Sequence, residues 1–104
     1  MGSEQVRSLI NNYALKVKEL YNPVEMYVFG SYAKGTDGPN SDIDIAIVFP
    51  KITDNYLKML GKLYLLGASF EKDFEPHIFE LNSDDPVLEE AIKTGEKLPF
   101  ENYL

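Results

Sequence analysis

Apolar residues recur at three- and four-residue steps near the start of the chain: Val6, Leu9, Ile10, Tyr13, Ala14, Val17 and Leu20. That spacing lines one face of a helix over Ser3–Leu20. Ser3 is available as its N-cap and Asn22-Pro23 as its stop. The pattern then shortens to a β-branched and aromatic run, Val24 to Phe29, halted by Gly30, which predicts a strand. A turn-rich stretch from Gly35 to Ser41 leads into a second strand, Ser41–Phe49, ended by Pro50. Its isoleucines at 43, 45 and 47 alternate with Asp42, Asp44, Ala46 and Val48, so beyond the aspartates it reads as covered on both faces.

Thr53 or Asp54 can cap a further helix to about Gly67, with Leu57, Leu60, Leu63, Tyr64 and Leu66 as its expected core contacts. Phe74–Leu81 is a third strand, and Pro76 within it predicts an edge or bulged position. Asp85-Pro86 opens a last helix that Gly95 ends. The link between the first two strands is too short for a crossover helix, so they are expected to pair antiparallel. The whole predicts an α/β (α+β) fold, a small mixed sheet backed by helices, with residues 1–104 forming one domain.

Composition narrows the chemistry. The 104 residues carry 10 basic and 17 acidic side chains, a formal net charge of −7, and no cysteine. A disulfide scaffold, a thiolate zinc site and a cysteine nucleophile are excluded. The acidic balance disfavours a nonspecific nucleic-acid coat, because each phosphate neutralised needs a protein cation. It leaves open an acidic site that reaches phosphates through a metal ion. No apolar run approaches the ~20 residues of a membrane span, and the N-terminus lacks a signal-peptide pattern, so a cytoplasmic protein is expected.

The informative segment is Gly30–Asp44, GSYAKGTDGPNSDID. Gly30 lets the backbone turn sharply and lets a phosphate approach without meeting a Cβ. Ser31 can cap a short helix and offer its hydroxyl to a phosphate oxygen, and Lys34 is the nearest cation. Asp42 and Asp44 are two apart on a predicted strand, so both carboxylates leave one face. Two like charges held close call for a cation between them, and such hard oxygen ligands suit Mg²⁺ or Mn²⁺.

This order of strand, Gly-Ser, short loop and D-x-D opening a strand resembles the minimal nucleotidyltransferases of the DNA polymerase β-like superfamily. Gly30, Ser31, Asp42 and Asp44 match the motif. The likeness covers most of the chain, and the late segment DDPVLEEAIKTGEKL is similar to that family's closing helix. The resemblance implies a nucleotidyltransferase fold and metal-dependent transfer of a nucleoside monophosphate, AMP from ATP, onto a hydroxyl with release of pyrophosphate. It implies that Gly30 and Ser31 contact the triphosphate, with Lys34 and Ser41 completing the candidate nucleotide-binding set. It implies that Asp42 and Asp44 bind two divalent ions.

The family also places a third acidic residue on the next strand, and here the chain departs from it. Its strand DFEPHIFEL offers Glu75 and His77 on one face. Glu75 is expected as the third ligand because a carboxylate both binds an ion and accepts a proton; His77 is the alternative third position. Minimal members often work beside a separate helical protein, sometimes as antitoxins that modify a toxin's tyrosine, and a homodimer is the other arrangement considered. The competing functional reading is a catalytically weak regulatory module that binds nucleotide or partner. The plainest reading is an α/β domain with an incidental acidic loop.

Overall fold

The computed structural model describes residues 4–53 and 55–99. In chain order these form α1 (Glu4–Tyr21), β1 (Glu25–Phe29), α2 (Ser31–Lys34), β2 (Ile43–Phe49), α3 (Tyr56–Gly67), β3 (Phe74–Glu80), α4 (Pro86–Thr94) and β4 (Glu96–Lys97). The sheet order is β3-β2-β1-β4. β1 pairs antiparallel with β2 and with β4, whereas β2 and β3 run parallel, so the sheet is mixed as expected. β3 lies at an edge, where Pro76 removes no hydrogen bond from a second neighbour.

The sheet is covered on both faces, which is why β2 tolerates so few polar residues. On one face Ile43, Ile45, Ile47 and Phe49 meet Ile10, Tyr13 and Val17 of α1 and Leu63 of α3. Tyr13 stacks on Phe74 with ring centroids 4.2 Å apart and donates its hydroxyl to the Leu63 carbonyl at 3.0 Å. Burial pushes the Tyr13 phenol far above its usual range. On the other face Ala46, Val48, Phe29 and Phe79 pack under Leu88 and Ala91 of α4. Asp44 is thus the single charged residue within a strand otherwise fully buried.

Two expectations about element ends change, and one about burial. The α3 cap is Asn55, whose Oδ1 accepts the Lys58 backbone N–H at 3.0 Å, in place of Thr53; Asp54 and the expected α1 cap Ser3 lie outside the described residues. β2 begins at Ile43, so Ser41 and Asp42 precede the strand. Leu57 and Tyr64, expected in the core, are 74% and 45% exposed. Met59, Leu60, Leu63 and Leu66 occupy the inward stripe of α3, and a single 12-residue helix cannot turn Leu57 to the same side. The Asp85 cap is as expected, its Oδ1 accepting the Val87 N–H at 2.9 Å. Replacing Asp85 by Ala should therefore lower stability by about 1 kcal/mol in a denaturant melt. No helix of the described residues is long and apolar enough to cross a membrane.

Candidate functional site

The site forms where the end of β1 passes the start of β2. Register places Phe29 opposite Asp44, and the chain then leaves β1 through Gly30 at φ 73°, ψ −147°, a conformation in essence open to glycine alone. A Cβ at Gly30 would fall on Asp44 Oδ2, so the turn and this carboxylate are in direct apposition. Gly30 itself takes the cap position of α2 and Ser31, expected as the cap, is the first helical residue, so the helix starts one residue earlier than the sequence reading had it. Tyr32, 1% exposed, is anchored in the core and holds the turn to the sheet. Gly35 ends α2 in the left-handed region, at φ 74°.

Parallel pairing of β2 with β3 sets Asp44 beside Glu75 and Ala46 beside His77. Because Glu75 and His77 are two apart, both project on the Asp44 side of the sheet. One ligand atom from each of Asp44, Glu75 and His77 lies within 4.8 Å of the others. His77 Nε2 is 3.2 Å from Asp44 Oδ1, and the imidazole sits edge-on to the Phe29 ring at 5.1 Å. The sequence left Glu75 and His77 as alternatives; the fold brings both to Asp44.

Burial, a hydrogen bond with Asp44 and the charge of Asp44 together raise the Glu75 carboxyl above its ordinary value of 4.5, opposed by His77 and reinforced by Asp42. This is negative charge gathered without enough compensation. Two carboxylates and an imidazole converging on one space are a donor set that a divalent cation fits. Lys34 does not supply the missing charge there, since its Nζ is held 3.2 Å from Glu90 Oε1 of α4.

Asp42 stands outside the three-residue group and borders a neighbouring cavity of about 280 Å³ with Tyr64, Gly67, Ala68, Asp73 and Phe74. Tyr64 is the residue that sequence reasoning missed. It lines that cavity with Asp42, and partial burial followed by the charges of Glu75, Asp42 and Asp44 raises its phenol. Its helical spacing carried only a core signal. The Ser41 Oγ accepts the Gly38 N–H at 2.9 Å while the Ser41 N–H donates to the Gly38 carbonyl at 3.1 Å. That reciprocal pair shapes the loop before Asp42.

A sign follows from the raised Glu75 carboxyl. Its ionised form is disfavoured in the fold, so metal-free stability should fall as pH rises from about the ordinary glutamate value through the raised one. Glu75→Gln removes that fall. Above this window the variant should be more stable than wild type by under about 1 kcal/mol, because the group is only partly buried. Parallel melts in chelator across this pH range check it; identical pH profiles would contradict it.

The family model described as a nucleotidyltransferase domain matches residues 10–102. A Methanocaldococcus jannaschii protein whose name suggests protein adenylyltransferase activity is 35% identical over 54 residues, 52% of this chain and 62% of that protein. The protein adenylyltransferase MntA of Shewanella oneidensis is 32% identical over 74 residues, 70% of this chain and 51% of that protein. The chain therefore matches little more than half the length of these relatives. A crystal structure of a toxin–antitoxin with AMP-PNP superposes with a TM-score of 0.63 at 26% identity, covering 89% of this chain and 77% of that one. With a match across most of its length, and with helices and a mixed sheet laid out as in that structure, the chain belongs to the nucleotidyltransferase domain family.

Proposed function

We propose that this domain transfers AMP from ATP to a hydroxyl on a separate protein, using Mg²⁺ or Mn²⁺ and releasing pyrophosphate. The observation that carries the reading is the convergence of Asp44, Glu75 and His77 against the Gly30 turn. Asp42 and Asp44 would hold the divalent ions, with Glu75 or His77 as a third ligand. A divalent cation bound there would neutralise the triphosphate and the charge that develops during in-line displacement at the α-phosphorus. Gly30 and Ser31 receive the phosphates, with Lys34 and Ser41 alongside. The glycine leaves room for backbone approach, and the serine hydroxyl and α2 amides donate to oxygens. Glu75, set beside Asp44 by the strand register, is the acceptor of the attacking hydroxyl's proton.

The relatives named for protein adenylylation and the toxin–antitoxin complex with AMP-PNP support ATP as donor and a separate protein as acceptor. In this reading the domain carries the catalytic residues and a separate partner protein presents the acceptor hydroxyl. Reliance on ATP and the lack of cysteine fit a cytoplasmic setting. One feature favours a second reading, a regulatory module that binds nucleotide without turnover: the third acidic position is irregular, and His77 engages an Asp44 oxygen. ATP labelled at the α-phosphate separates the two. Incubated with either cation and candidate acceptor proteins, the enzyme releases pyrophosphate and labels the acceptor. The module binds ATP and does neither.

A further inference from the structure

We infer that Asp44, Glu75 and His77 act together as a mixed oxygen–nitrogen ligand set that selects Mn²⁺ over Mg²⁺. This rests on the proposed nucleotidyl-transfer reading of the site and names the cation it takes. Mg²⁺ prefers an all-oxygen octahedron and keeps its waters. An imidazole suits the first-row transition cations, and affinity at such a site rises from Mn²⁺ towards Zn²⁺. A third carboxylate in place of His77 would leave the site hard; the imidazole softens it.

The geometry keeps His77 available for this role. Pro76, between the two β3 ligands, fixes its own φ and stiffens the backbone that spaces Glu75 from His77. The Phe29 ring against the imidazole limits its rotation. The nitrogen that faces the site, Nε2, is the one 3.2 Å from Asp44 Oδ1, so a cation seated between them replaces a single hydrogen bond. Both side chains remain reachable from solvent, at 30% and 23% exposure. Once a cation displaces that hydrogen bond, the tautomer with its proton on Nδ1 leaves the Nε2 lone pair to the metal.

The test uses the intact chain and the metals alone. Mn²⁺ is titrated by electron paramagnetic resonance, pulsed spin-echo spectra are read for nitrogen coupling, and Mg²⁺ is used as competitor. Wild type should show nitrogen coupling and bind Mn²⁺ at least about tenfold more tightly than Mg²⁺. His77→Asn, confirmed as folded by its melting curve, should lose the coupling and most of that preference, with Mg²⁺ affinity little changed. Glu75→Gln should weaken Mn²⁺ binding yet keep the nitrogen signal. Bound Mn²⁺ without nitrogen coupling, or a preference unaltered in His77→Asn, overturns the inference and leaves nucleotidyl transfer standing on the carboxylates. Failure to bind either cation, even with an ATP analogue present, overturns both.

Discussion

Asp44→Asn is expected to reduce metal-dependent nucleotidyl transfer by about 10³-fold or more, while its melting temperature stays at or above that of wild type. The size follows from the position. Asp44 joins three parts of the site: Gly30 through its Oδ2, His77 through its Oδ1, and Glu75 through the β2–β3 register. Removing one donor that stabilises transition-state charge costs about two to three orders of magnitude, and losing a metal ligand would take away a cation's larger contribution. The fold should not suffer, because asparagine has the same shape and the substitution relieves repulsion on Glu75. An active site that holds like charges together gives up stability for function. Label transfer from ATP and a thermal melt on the same preparation check both halves. Activity within tenfold of wild type would remove Asp44 from the mechanism.

Gly30→Ala should have the second largest effect, and Gly35→Ala supplies its control. Both glycines have positive φ, 73° and 74°. A Cβ at Gly35 meets nothing within 4 Å, so that variant bears only left-handed backbone strain of about 1–2 kcal/mol. A Cβ at Gly30 lands on Asp44 Oδ2 and lies 3.3 Å from its Cγ, in a conformation that costs alanine about 1–3 kcal/mol by itself. Either Asp44 or the turn must move. Gly30→Ala should therefore lose divalent-metal affinity as well as stability, whereas Gly35→Ala loses stability and keeps its affinity. Equal metal binding in the two variants would show that the apposition of turn and carboxylate has no functional weight.

Much of this arrangement was legible because the sheet imposes simple rules. Ile43, Ile45 and Ile47 alternating with Ala46 and Val48 announced a strand buried on both faces, and Pro76 announced an edge or a bulge, of which the sheet shows the edge. A short link fixed β1 and β2 as antiparallel neighbours. What escaped depended on contacts distant in sequence. β4 is only two residues, Glu96 and Lys97, and exists through pairing with Tyr27 and Val28. Leu57 and Tyr64 satisfied a helical periodicity whose phase is set by the packing of α3 on the sheet, which periodicity alone does not give. That Glu75 and His77 both face Asp44 was hidden for a similar reason. Spacing placed both on one face, and the parallel register then set that face beside Asp44.

The most direct test of the central claim is a crystal soaked with AMP-PNP and Mn²⁺, with the anomalous signal used to locate the metal. Manganese is expected on Asp44 and its acidic neighbours, with the triphosphate seated over Gly30 and Ser31. Manganese elsewhere, or a nucleotide whose phosphates lie away from that turn, would contradict it.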